Sequence, residues 1–375
     1  MKKTKGEKFI SFVVFLVIAF GVFNYQSMAD YLMGFLGRGQ YTMTRVKTVP
    51  LENKLENSVI PSVHPLEQEI VVLEKTRLTL YNRDGEAVWQ VVNDFSEVLV
   101  AGNENFFVVG DQVTGEVYAY DYRSNINARV ETAGEVKGIE ITRKGYVLLQ
   151  VGENEIQVYD PRLNLISSLK INQGVITHVA FNESDEQVYL VDLDMASGRV
   201  KSTLYKYRVT GELVGSIEMD NEVIFELFFE GKALIKLSDL ETGIIGEDML
   251  LETRIPSTGL VDRAAYGAGH LVVQNYDRDS DNMGGSNIYD LLVYDIAQKK
   301  VSFKRSYPEA FAGITFLEEK ILGHTNSRAL LYDLEGVLLG EFNFSREFKN
   351  LKVLGNDRIF IQGVDYFEIY TLEKR

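Results

Sequence analysis

The run IQVYDPRLNLISSLK, Ile156 to Lys170, holds two short apolar stretches around a tight polar break. Its pattern returns as LTLYNRDGEAVWQV from Leu78 and as ALLYDLEGVLLGEF from Ala329. Each copy writes a tyrosine, a small polar residue, a turn and a second apolar run. The tyrosine mark recurs at Tyr81, Tyr120, Tyr159, Tyr207, Tyr294, Tyr332 and Tyr370, at intervals of 39, 39, 48, 87, 38 and 38 residues. The interval of 87 is about twice the others. It implies one degenerate unit whose mark is lost near residue 250, in EDMLLETRI (Glu247 to Ile255). That makes eight units, with seven as the alternative.

From residue 69 onward no helical period is found. Short runs rich in Val, Ile, Leu, Tyr and Phe are cut by Gly, Asn and Asp, which are strand and hairpin signals. A self-similar period of roughly 40–45 residues built only of strands points to propeller blades of four strands each. Gly85, Gly211 and Gly336 each stand four residues after their tyrosine, where a tight hairpin needs positive φ. VTGEV (Val113 to Val117) and VTGEL (Val209 to Leu213) read as the same turn written twice. The tyrosine run is therefore expected to be the third strand of a blade, and the run after the turn its outer fourth strand. A residue repeated in every unit serves the repeat, so the mark is read as packing and turn capping.

After Tyr370 only TLEKR remains, and the last blade lacks an outer strand. The alternating, β-branched run YTMTRVKTV, Tyr41 to Val49, is expected to supply it and so close the ring.

The chain opens with Lys2, Lys3, Lys5 and Lys8, followed by FISFVVFLVIAFGVF, Phe9 to Phe23, and no charge until Asp30. Apolar character resumes in YLMGFL, Tyr31 to Leu36. Two readings compete. One is a transmembrane anchor, which needs about 20 mostly apolar residues. The other is a signal peptide cleaved after Ala29, at Ser27-Met28-Ala29. Either keeps the lysines in the cytoplasm and exports the rest. The expected organisation is 1–36 basic start and anchor, 37–68 a connector holding Pro50, Pro61 and Pro65, and 69–375 the propeller. The expected location is the cell membrane, single-pass through residues 9–36, with the propeller outside; secretion after cleavage is the alternative.

The net charge of the 375 residues is −15. Setting aside the four lysines and Glu7 leaves 35 basic and 53 acidic residues, a net of −18 for the body. So acidic a surface repels phosphate backbones, and nucleic acid is not expected as a partner. There is no cysteine. This removes disulfides, thiolate metal sites, a cysteine nucleophile and the lipid attachment point of a bacterial lipoprotein.

Signatures of catalysis are few. Neither a nucleophile elbow, a zinc-protease helix nor a phosphate-binding glycine loop occurs. Ser167 and Lys170 have S-x-x-K spacing but fall in an expected outer strand. His64, His178, His270 and His324 are far apart in sequence, though a propeller can gather distant blades at its axis. In NYDRDSDNMGGSNIYD, Asn275 to Asp290, Asp277, Asp279 and Asp281 alternate as in a calcium loop. The match then fails, with Asn282 where glycine belongs and Ile288 where a glutamate belongs. These three aspartates are weak candidates only. No metal, cofactor or catalytic site is assigned, and the loop is read as a solvated inter-strand segment.

The basic start, the apolar segment, the missing cysteine and the degenerate YD-turn repeats together resemble a family of N-terminally membrane-anchored propellers of Gram-positive, clostridial-type bacteria. The resemblance covers the whole chain. Runs such as LYNRDGEAVWQV also look like WD40-like and quinoprotein-type repeats. That second class stacks tryptophans from blade to blade, and this chain has only Trp89, so no quinone is carried over. The eight-bladed outer-membrane assembly propeller is similar in architecture and is lipid-anchored through a cysteine absent here. The expected function is a non-catalytic, membrane-tethered scaffold binding a protein or envelope polymer. The alternative is a glycan- or lactone-processing hydrolase with carboxylates and a metal at the axis. Carboxylates and histidines converging there would favour the enzyme.

Overall fold

The computed structural model describes residues 40–51, 61–74, 77–92, 95–184, 186–196, 198–256, 259–276 and 288–375. The apolar segment 9–36 and Asp277, Asp279 and Asp281 lie outside them. Among the described residues no helix is long and apolar enough to cross a membrane.

Among the described residues thirty-two strands form eight antiparallel sheets of four, one sheet per blade. The eight-unit reading holds and the seven-unit one falls. Blade one is β2 (Ser62–Pro65), β3 (Glu69–Glu74), β4 (Arg77–Asn82) and β5 (Ala87–Val92), paired in chain order. The first strands of neighbouring blades approach one another around the axis. The fourth strands form the rim. In blade eight, β30 (Asn350–Leu354), β31 (Arg358–Gln362) and β32 (Tyr366–Lys374) are completed by β1 (Tyr41–Pro50), the first described strand. Tyr41 pairs with Lys374 and Pro50 with Tyr366, so the expected closure is present.

Among the described residues eight buried apolar clusters each bridge two consecutive blades. Phe106, Val108 and Val117 of blade two meet Val136, Val147 and Leu149 of blade three, for example. The closing cluster joins Val49, Phe360 and Phe367 of blade eight to Ile70 and Val72 of blade one. The core is thus a ring of interfaces between sheets.

The mark explains itself within this frame. Tyr120, Tyr159, Tyr294 and Tyr332 are 4% exposed or less and pack between blades. Burying each contributes on the order of 1.5–3 kcal/mol. The polar residue that follows caps the turn. Asp160 Oδ1 accepts the backbone N–H of Arg162 at 2.8 Å and of Asn164 at 2.9 Å. Asp121, Asp333 and Asn82 repeat this geometry. Four residues after the mark the backbone is left-handed, at φ +76° for Gly85 and +85° for Gly336.

Two sequence expectations need correction. The lost mark of blade five is not in Glu247 to Ile255, which form the turn and β21 (Leu251–Pro256). It is Ile245, at the end of β20 (Glu241–Ile245). There the register shifts as it does at every tyrosine, and Met249 takes the glycine position at φ +63°. The two VTGE turns also differ. Val113 to Val117 lies at the connection from β7 (Phe106–Asp111) to β8 (Glu116–Asp121), strands two and three of blade two. Val209 to Leu213 links strands three and four of blade four, β16 (Lys201–Arg208) and β17 (Leu213–Asp220).

Candidate functional site

The inner strands of blades three to six are β10 (Val136–Ile141), β14 (Val175–Asn182), β18 (Ile224–Glu230) and β22 (Leu260–Gly267). Each carries a bulge near its start, before Gly138, His178, Glu226 and Arg263 respectively. A bulge re-aims the residues that follow it. Register therefore makes those four residues equivalent. Two positions on, a second equivalent set holds Glu140, Ala180, Phe228 and Ala265, and in the unbulged blades His64, Ala101, Thr315 and Lys352. Side chains of this set lean toward the following blade, as Ala180 and Phe228 do in the clusters they join.

Three of these groups converge near the axis. His178 Nε2 stands 2.9 Å from Glu226 Oε1. Glu140 points into a niche of about 160 Å3 between blades three and four, lined also by His178. Burial pushes the Glu140 carboxyl up to about 7; Glu183 and Glu226 push the same way, and His178 opposes them. Glu183 accepts the backbone N–H of Arg143 at 2.5 Å, while its other oxygen is buried with no partner among the described residues. Across the blade eight–one junction the chemistry inverts. His64, with Ser62 Oγ 2.5 Å from its Nε2, is pushed down to about 4 by burial and by Lys352. Burial lowers Lys352 as well.

The remaining sequence candidates are structural. His324 is buried and its ring N–H donates to the Thr325 carbonyl at 3.0 Å, and His270 Nδ1 sits 2.8 Å from the Ala268 carbonyl. Ser167 donates to the Val209 carbonyl at 2.6 Å and Lys170 pairs with Glu155 at 3.1 Å, both from outer strand β13 (Leu165–Lys170). Among the described residues no group of three or more His, Asp or Glu has the arrangement to hold a metal ion. Of the four histidines, sequence reasoning named His178 without its neighbours; Glu140 and Glu226 carry no motif, and only the bulged register brings them to it.

A larger feature lies on the face where inner strands begin, here the upper face. A cleft of about 540 Å3 between blades six and seven is lined by Tyr276, Tyr289, Asp262, Arg263, Glu309 and Phe311 among others. Tyr276 and Tyr289 stand with ring centroids 5.5 Å apart. Buried Gln274 ties the walls together. Its Nε2 donates to Asp262 Oδ2 at 2.6 Å and its Oε1 accepts the Phe311 backbone N–H at 2.8 Å.

Residues 40–350 match a sequence family described as a family of unknown function, DUF5711. No curated protein matches the chain. Solved structures do. BamB from Moraxella catarrhalis superposes with a TM-score of 0.62 at 12% identity, over 88% of this chain and 100% of that one. Saccharomyces cerevisiae Sqt1 gives 0.66 at 10% identity, over 89% and 100%. The C-terminal WD40 domain of Sif2 gives 0.64 at 12% identity, over 88% and 98%. At such identities the likeness is one of fold.

Proposed function

The chain belongs to DUF5711, a family of unknown function, and on that premise we propose that it is a protein-binding propeller scaffold, tethered outside the cytoplasmic membrane by residues 9–36. The observation that carries the binding role is the upper-face cleft. It offers two partly exposed tyrosines and Arg263 on walls locked by Gln274. Aromatic residues and arginine held rigidly in a pocket are the side chains that dominate protein interfaces. The resemblance in fold to BamB and to WD40 domains supports a scaffold role and supplies no partner.

The tether rests on the lysine-flanked apolar segment. Fifteen residues, Phe9 to Phe23, cover about 22 Å as a helix, short of a hydrocarbon core of about 30 Å. Extension through Leu36 supplies the rest. Carbonate washing is expected to leave the full-length chain in the membrane pellet. A soluble form beginning at Asp30 would put cleavage after Ala29 in its place.

The binding reading is tested with a photo-crosslinking residue at Asn326, beside the cleft, and another at Asn125 on the lower face. A discrete adduct to one protein is expected from Asn326 only, and lost in Arg263→Ala/Tyr276→Ala. Equal adducts from both positions, or capture of a glycan polymer instead, would reject it. The hydrolase alternative has one observation in its favour, the Glu140 carboxyl held near neutrality where a general acid works well.

A further inference from the structure

The geometry points to the niche between blades three and four as a binding site for an alkyl cation, an ammonium or guanidinium group on an apolar stem. Glu140 projects into the niche, and among the described residues no donor hydrogen-bonds to its carboxylate and no cation pairs with it. His178, the nearest positive candidate, is engaged by Glu226 at 2.9 Å. Lys144, in the turn just past β10, is engaged by Glu186 at 2.9 Å. Glu183 and Glu226 add to the negative field at Glu140, and His178 alone opposes it. An anion in the niche would meet the Glu140 carboxylate in the field of Glu183 and Glu226, whereas a cation meets a carboxylate that lacks a partner among the described residues.

The walls supply the stem site. Leu148, Ile156 and Val179 line the niche around the carboxylate. Gly138 keeps it open, for the next three blades carry His178, Glu226 and Arg263 at the equivalent position. At about 160 Å3 the niche has the volume of about five water molecules at ~30 Å3 each, enough for the end of a lysine or arginine side chain. The same group could come from a partner's side chain or from a free amine, and free probes test the shared chemistry. The inference does not depend on the cleft between blades six and seven, so either can fail without the other.

The experiment titrates the purified full chain with n-butylammonium and n-propylguanidinium, with n-butanol as the uncharged control, by calorimetry at pH 6 and pH 8. The alkylammonium stays charged across this range, as lysine does. Saturable one-site binding is expected for both cations and not for n-butanol. Binding should be about tenfold tighter at pH 8, because Glu140, held up to about 7, must lose its proton to bind. Glu140→Gln should abolish it at both pH values. Gly138→Leu, which fills the niche and keeps the carboxylate, should abolish it too and serves if Glu140→Gln does not fold. No saturable binding of either cation at pH 8, or binding unchanged in Glu140→Gln or Gly138→Leu, overturns the proposal.

Discussion

At the scale of single residues, Glu140 is held against its own charge. Its native carboxyl titrates at about 7 against an ordinary value of 4.5, and burial is the main cause. Between those values the native state holds more proton than the unfolded state. Glu140 therefore favours folding below the lower value and loses that advantage as pH rises through the upper one. Glu140→Gln, which cannot ionise, is expected to gain on the natural protein by about 2 kcal/mol between pH 5 and pH 8, the order given by a shift of this size. Denaturant melts of both proteins at the two pH values measure it; a constant difference would mean that the carboxyl titrates normally. Turn residues give a second contrast. Gly85 is left-handed, and a Cβ there would stand 3.1 Å from Lys47 Cγ on the closing strand. Gly85→Ala should destabilise by about 1–2 kcal/mol. Ser124 sits in the equivalent turn, exposed at φ +74°. Ser124→Gly relieves that strain at the expense of a more flexible unfolded chain, and a change within about 0.5 kcal/mol is expected. Equal losses at the two sites would contradict the assignment of these turns.

At the scale of elements, β1 is the piece on which closure depends. Glu368 on β32 accepts hydrogen bonds from Arg45 at 3.0 Å, Thr48 at 2.8 Å and Tyr370 at 2.6 Å, a polar latch joining β1 to the end of the chain. Val49 adds its side chain to the cluster between blades eight and one. Deleting Tyr41 to Val49 should lower the melting temperature sharply, since it bares the edge of β32 and opens that cluster. An unchanged midpoint would remove β1 from the stability of the ring. This element was legible in sequence because its alternation and the missing outer strand are both local facts. Blade five was legible only as a gap, because Ile245 fills the tyrosine position with an apolar side chain that matches no mark. The axial niche was not legible at all. The bulges that align Gly138, His178, Glu226 and Arg263 arise from pairing between strands, and a single glutamate among 54 acidic residues carries no signal of its partners.

At the scale of the whole molecule, the ring has two unlike faces, and the path of β1 decides which of them a tether would meet. Third strands run from the upper face to the lower, so β1, antiparallel to β32, starts low at Tyr41 and ends high at Pro50. Only residues 37–40 separate Leu36 from Tyr41, a reach of about 17 Å when fully extended. A tether through residues 9–36 would therefore hold the lower rim of blade eight close to the bilayer and turn the cleft between blades six and seven outward. The absence of cysteine makes this directly measurable, because any single introduced thiol is the only one present. Glu319→Cys places a thiol on the lower face, beside Lys320, whose ammonium lies 5.7 Å from the Tyr41 ring. Asn326→Cys places one on the upper face at the cleft. In intact protoplasts a bulky, membrane-impermeant maleimide is expected to label Asn326→Cys several-fold faster than Glu319→Cys, and at equal rates once detergent releases the protein. Labelling of neither thiol before lysis would place the propeller inside the cell. Equal labelling of both before lysis would place it outside with its lower face free of the membrane, as a cleaved and secreted form requires.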